Sequence, residues 1–138
     1  MPEFKSILET ALYVDDMDRA TAFYENILQL PSLVTSSRLS AYNVNDASVL
    51  LLFVRGGTLE PVDTGNGIIP PHDGSGPQHM AFNCTHDMLP VWEDHLRDHG
   101  VEIEGETHWE RGGRSIYFRD PDNHLLEIAS SPGVWRGF

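Results

Sequence analysis

Glu9-Thr-Ala-Leu-Tyr-Val14, laid over His79-Met-Ala-Phe-Asn-Cys84, is the pair of segments from which the fold can be read. Ala11 falls on Ala81, Leu12 on Phe82 and Val14 on Cys84. The likeness is weak by letters and firmer by pattern. Each segment alternates like a strand, runs into a helix headed by an aspartate (Asp16, Asp87), and is followed by three more strand-like runs. The chain therefore reads as one unit written twice, β-α-β-β-β and then β-α-β-β-β.

Working outward, Ile7 to Val14 is expected as the first strand. Leu8, Leu12 and Val14 would lie on one face, with Glu9, Ala11 and Tyr13 on the other, because strand side chains alternate. Asp16 is an expected N-cap for a helix running to about Leu28. Its stripe would be Met17, Ala20, Tyr24, Ile27 and Leu28, and Pro31 closes it. Strands are expected near Ser32–Ser37, Leu39–Asn45 and Ser48–Val54. The next stretch, 56–76, carries six of the 12 glycines and reads as loop, long enough to suggest a role of its own. The pattern then restarts. A strand at Gln78–Cys84 leads into a helix capped by Asp87, carrying Leu89, Trp92 and Leu96 and ending at Gly100. Strands follow near Val101–Thr107, Arg114–Arg119 and Leu125–Ser130.

The expected fold class is α+β. A single domain holds module one at about 5–55, a linker at 56–76, module two at 77–131 and a tail at 132–138. Each module alone would leave one face of a curved mixed sheet uncovered. Joining two would make a cup, with the helices on the outer face.

The 138 residues carry a formal net charge of −12. Such a surface repels phosphate backbones and anionic lipid, so neither nucleic acid nor a membrane is an expected partner. The one cysteine, Cys84, cannot form an internal disulfide. No signal-like or membrane-spanning run is read, and a cytoplasmic location is expected.

The overlay puts Glu9 and His79 at equivalent points, opening their strands on the side away from the helices. Glu127 stands inside Leu125-Leu126-Glu127-Ile128-Ala129, where a carboxylate is costly unless paired or bound to metal. Taken singly, a strand glutamate is usually solvated and a strand histidine usually hydrogen-bonded. Three such residues at matched positions of a repeat point instead to one divalent metal ion. Tyr13 and Asn83, on the same faces as Glu9 and His79, are candidate substrate contacts. His72, in Pro70-Pro-His-Asp-Gly74, and Arg114, after Gly112-Gly113, are two more. His86, His95 and His99 are expected to be solvated, His124 to sit in a turn, and Cys84 to be an inert core thiol. Trp135 and Phe138 are expected over the cup or at a dimer contact.

Three stretches carry a resemblance: Leu12-Tyr-Val-Asp-Asp-Met17 with Ala22-Phe-Tyr24, then Gly76-Pro-Gln-His-Met-Ala-Phe82, then Tyr117-Phe-Arg-Asp-Pro-Asp-Asn-His-Leu-Leu-Glu127. With them the chain resembles the vicinal oxygen chelate superfamily of glyoxalases, bleomycin-resistance proteins, fosfomycin-resistance enzymes and extradiol dioxygenases. The resemblance implies that the metal ligands open the first strand of each module and sit in the last strand. Those positions are Glu9, His79 and Glu127, with Glu9 standing where the family often has histidine. A fourth ligand found late in the first module of glyoxalase I enzymes would fall on Leu50, Leu51 or Leu52. None binds metal, so a glyoxalase I site is not expected. Three ligands leave positions open, and an O/N/O set suits Fe(II) or Mn(II) ahead of Zn(II) or Ni(II).

The segment before Glu127 also resembles the extradiol dioxygenase signature, which implies acid–base and hydrogen-bonding roles for His108 and Tyr117. Glu106 and Asn123 depart from that signature. Read plainly, His108 is a surface strand residue beside Trp109. Two functions are thus expected alternatives. One is a divalent-metal enzyme acting on a small vicinally oxygenated substrate chelated to the metal, whether by extradiol-type oxygenation, isomerisation or addition–elimination. The other is a metal-free small-molecule binding protein of the bleomycin-resistance type. Small relatives often pair modules across a homodimer, which here implies Glu9 of one chain meeting His79 and Glu127 of the other.

Overall fold

The computed structural model describes all 138 residues, in two compact units, Met1–Gly76 and Pro77–Phe138. In the first, β1 (Glu9–Val14) leads to α1 (Met17–Ala22), a π-helical turn (Phe23–Ile27), β2 (Ser32–Thr35), β3 (Leu39–Val44) and β4 (Ser48–Val54). The sheet order is β1-β4-β3-β2, with β1 and β4 parallel and the other pairs antiparallel. A small antiparallel pair follows, β5 (Val62–Asp63) with β6 (Ile68–Ile69). The second unit holds β7 (His79–Cys84), α2 (Met88–Asp98), β8 (Gly105–His108), β9 (Arg114–Arg119) and β10 (Leu125–Ser130). Its order, β7-β10-β9-β8, and its single parallel pair repeat those of the first.

In module one Leu12 and Val14 share the buried face with Leu50, Leu52 and Tyr42, and α1 packs against β3 and β4 with Ala20 buried. Asp16 caps as expected, its Oδ1 accepting from Arg19 N at 3.0 Å. The expected uninterrupted helix to Leu28 is not formed. After six α-helical residues the turn widens, and Leu28 N donates to Phe23 O. The extra residue in that turn rotates the stripe, so Phe23, Tyr24 and Leu28 are buried and Ile27 only half so.

Other expectations also shift. The first strand begins at Glu9, and Leu8 is 70% exposed rather than packed on the helix side. Asp87 does not cap α2: its Oδ1 instead accepts from Thr85 Oγ1, which holds its carboxyl below the usual range. Trp92 is half-buried between the buried Leu89 and Leu96, and Gly100 takes the left-handed φ of +72° expected past a helix end. The loop 56–76 contains the unforeseen β5–β6 hairpin. No helix is long and apolar enough to cross a membrane.

Candidate metal centre

In module two β10 lies between β7 and β9 and sets the site. Leu125 pairs with His79 and Arg119, Glu127 with Ala81 and Tyr117, and Ala129 with Asn83 and Ser115. Paired side chains share a face, so His79, Asn83, Ser115, Tyr117 and Glu127 lie together. Glu127 is only 8% exposed. Its Oε2 accepts from Ser115 Oγ at 2.7 Å, and Ser115 Oγ accepts from Trp109 Nε1 at 2.9 Å.

His79 Nδ1 stands 2.8 Å from Leu125 O. A carbonyl only accepts, so Nδ1 carries a proton and Nε2 is the ring nitrogen left to turn outward. That Nε2 faces Glu127 Oε1 at 3.4 Å. Two lone pairs so placed repel unless a cation lies between them. The cation is either a proton, giving an imidazolium–carboxylate pair, or a metal ion. A ring nitrogen fixed by a carbonyl bond at its far side is the arrangement metal-binding histidines use. Glu127 and His79 thus fit a divalent ion as ligands. No group of three or more His, Cys, Asp and Glu side chains within the chain could hold a metal ion.

Tyr117, opposite Glu127, shares a hydrogen bond of 2.9 Å with Thr107 Oγ1. Asn83 is exposed on the same face. His108 and Arg114 are not brought there. They pair with each other in the β8–β9 register, and alternation sets both on the opposite face. His108 Nε2 lies 3.4 Å from Glu106 Oε1, and Arg114 forms ion pairs with Glu93 of α2 and with Glu106. Those bonds raise the Arg114 pKa and hold the Glu106 carboxyl below its usual range. Arg114 ties the helix to the sheet instead of waiting for an anion.

In module one Glu9 opens β1, exposed, on the face shared by Ala11, Tyr13, Leu51 and Phe53. It borders a cavity of about 520 Å³ also lined by Arg38, Leu39 and His72. His72 comes from the linker and is anchored there. Its N–H donates to Thr58 O at 3.0 Å, and Thr58 Oγ1 donates to His72 O. Tyr13 Oη is 2.7 Å from His72 Nδ1. Burial, and then the charge of Asp73, push the Tyr13 phenol above its usual pKa, so it keeps its proton. The ring of His72 meets Phe53 edge-on at 4.6 Å. Gly74 lets the linker pass this close, because a Cβ there would sit 2.3 Å from the Tyr13 ring.

The register also settles which leucine takes the place of a further ligand. Glu127 lies opposite Ala81, and Leu51 lies opposite Ala11. Leu51 is therefore module one's counterpart of Glu127.

Sequence reasoning missed Ser115 and Trp109. Ser115 is two residues from Tyr117 and shares its face, a signal readable once β9 was placed beside β10. Nothing local marks Trp109. His124, expected in a turn, is fully buried, and its Nδ1 accepts from Gln78 N–H at 2.8 Å, pinning the start of β7. His95 and His99 stand ring to ring at the C-terminal end of α2, and His86 bonds to Ser130 Oγ. Burial raises the free Cys84 thiol, while Trp135 and Phe138 are exposed.

A family model described as Glyoxalase/Bleomycin resistance protein/Dioxygenase superfamily matches residues 6–128. The metallothiol transferase FosB of Staphylococcus saprophyticus is 31% identical over 125 residues, spanning 90% of this chain and 76% of that protein. A crystal structure of lactoylglutathione lyase from Agrobacterium tumefaciens superposes with a TM-score of 0.88 at 29% identity, covering 99% of this chain and 100% of that one. A variant of the fosfomycin resistance protein FosX from Listeria monocytogenes, complexed with Mn(II) and a dihydroxypropylphosphonic acid, superposes with a TM-score of 0.68 at 23% identity. It covers 94% of this chain and 93% of that one, and shares the fold.

Proposed function

We propose that this chain, which belongs to the glyoxalase/bleomycin resistance protein/dioxygenase superfamily, is a divalent-metal-dependent enzyme acting on a small substrate with neighbouring oxygens. The observation that carries the reading is His79 Nε2 facing the buried Glu127 carboxylate at 3.4 Å, with Nδ1 held by Leu125 O. Glu9, at the matching point of module one, completes an O/N/O set. In a homodimer it comes from the partner chain. Fe(II) or Mn(II) suits these donors ahead of Zn(II) or Ni(II), and the Mn(II) held by the FosX variant supports that order. Such an ion, when bound, draws charge from a chelated oxygen pair as a Lewis acid.

The protein's own groups do the rest. Ser115 and Trp109 fix the Glu127 carboxylate, and Leu125 O fixes the His79 ring. Tyr117 presents a hydroxyl on the same face, and Asn83 offers an amide there. Tyr13 and His72 form a donor–acceptor pair on the face that carries Glu9.

Group transfer or lyase chemistry is favoured over dioxygenation, for two reasons. The two similar proteins at 31% and 29% identity are named as a transferase and a lyase. The histidine that the dioxygenase resemblance needs, His108, faces away. The metal-free binding alternative is weaker, because a binding cup gains nothing from a buried carboxylate set against an imidazole nitrogen. The protein is expected to work in the cytoplasm as a homodimer.

Elemental analysis of protein purified without a histidine tag tests the reading. One divalent ion per chain is expected, and a chain that neither retains nor takes up any contradicts it. Mixing Glu9→Ala chains with His79→Ala chains tests the shared site. Partial return of metal binding is expected, since a heterodimer has one intact site. No return, in a mixture shown to exchange subunits, means each chain builds its own.

A further inference from the structure

The cavity of module one is not explained by metal binding. Of its lining, Glu9 alone belongs to the proposed ligand set. At about 520 Å³ it falls in the usual size range of small-molecule sites. Most of its wall is apolar: Leu39, Leu51 and Phe53 from the sheet, Val62, Ile69 and Pro70 from the linker. The linker wall is built, not accidental. The β5–β6 hairpin supplies Val62 and Ile69, and the bonds between Thr58 and His72 fasten the segment that follows.

One cation lines this space. Arg55, Arg97, Arg114 and Arg119 each pair with a carboxylate. Arg38 has no ion pair, although the chain is strongly acidic and Glu60 lines the same cavity. A guanidinium without a carboxylate beside an apolar wall is complementary to an anionic group on an apolar body.

We infer that this cavity is a specificity pocket for a hydrophobic monoanion, a ring-sized or branched apolar body with one carboxylate directed to Arg38. A short polar phosphonate would leave the wall of Leu39, Leu51, Phe53 and Ile69 unfilled. The inference rests on the metal reading only in placing the reacting end of the ligand toward Glu9. Binding of the apolar anion itself needs no metal.

Calorimetric titration of metal-stripped, full-length protein with 3-phenylpropionate, its uncharged amide and propylphosphonate is the test. The acid is expected to bind most tightly, with Arg38→Gln weakening it about tenfold, as loss of a charge-assisted hydrogen bond should. The amide should bind wild type and Arg38→Gln alike. Ile69→Ala should weaken acid and amide equally, which keeps the apolar wall testable if an Arg38 variant folds poorly. The inference is overturned if Arg38→Gln binds the acid as wild type does, if propylphosphonate binds as well as phenylpropionate, or if none of the three binds. A parallel Mn(II) titration of the same protein reads the metal site separately, so that either reading can fail without the other.

Discussion

Module one and module two share their strand order, their one parallel pair and the register of that pair, yet they spend the same positions differently. Where β10 carries Glu127, β4 carries Leu51; where β9 supplies Ser115 to hold the carboxylate, β3 supplies Leu39. A buried carboxylate is tolerable only with partners that offset its lost hydration. Module two has Ser115, Trp109 and His79 for that. In module one the cross-strand neighbours of Leu51 are Ala11 and Ala41, and a largely apolar wall and an open cavity occupy the space. Repetition fixes the backbone, and the few side chains on one face decide which copy can hold charge.

Exchanging the two positions should break the difference. Glu127→Leu, which writes module one's residue into module two, is expected to abolish metal binding by elemental analysis. It should leave thermal stability of the metal-free protein unchanged or raised, since an apolar group replaces a buried charge. A large fall in that stability would show that Glu127 is structural. The reverse exchange, Leu51→Glu, should lower stability by no more than about 1 kcal/mol in a denaturant titration of metal-free protein, because Leu51 is half-buried and borders the open cavity that Arg38 also lines.

Ser115→Ala sharpens the comparison more gently. It strips the hydrogen bond from Glu127 Oε2 and the acceptor from Trp109. Metal affinity should fall by about 10–100-fold, the usual effect of losing a residue that orients a ligand. Unchanged affinity would mean that β10 alone fixes the carboxylate. The smallest effect is expected from His108→Ala, with metal content and activity unchanged and stability within about 0.5 kcal/mol. Any loss of stability should appear above the usual carboxylate range and vanish toward acid pH. His108, and then Arg114, hold the Glu106 carboxyl below its usual range, so their contribution is present above that range and fades as pH falls through the lowered value. Loss of turnover with metal retained would return His108 to the active site.

Much of this division was legible in the sequence, because it rests on alternation. That His79 and Glu127 share a face, and that Glu9 opens β1, was readable from strand position, and both four-stranded modules from the repeated order. What stayed hidden depended on register or on small departures from regular geometry. His108 lies one residue from Thr107, whose hydroxyl meets Tyr117, and that single step puts it on the wrong face. The partner of Arg114 was hidden because Glu93 is distant in sequence and meets it only when α2 packs. The π-helical turn at Phe23 leaves no mark that separates it from an ordinary amphipathic helix. The β5–β6 hairpin was hidden in a glycine-rich stretch whose strands are two residues each.

The central claim is that module one lends Glu9 to an ion held by the His79–Glu127 pair of module two. The direct measurement is a Mn(II) titration, followed by electron paramagnetic resonance of free Mn(II), on wild-type and Glu9→Ala protein. Wild type should bind one ion per chain, and Glu9→Ala should bind at least about a hundredfold more weakly, the loss of one carboxylate ligand exceeding that of an orienting neighbour. Equal binding by the two proteins would contradict the account, because His79 and Glu127 would then hold the metal without module one.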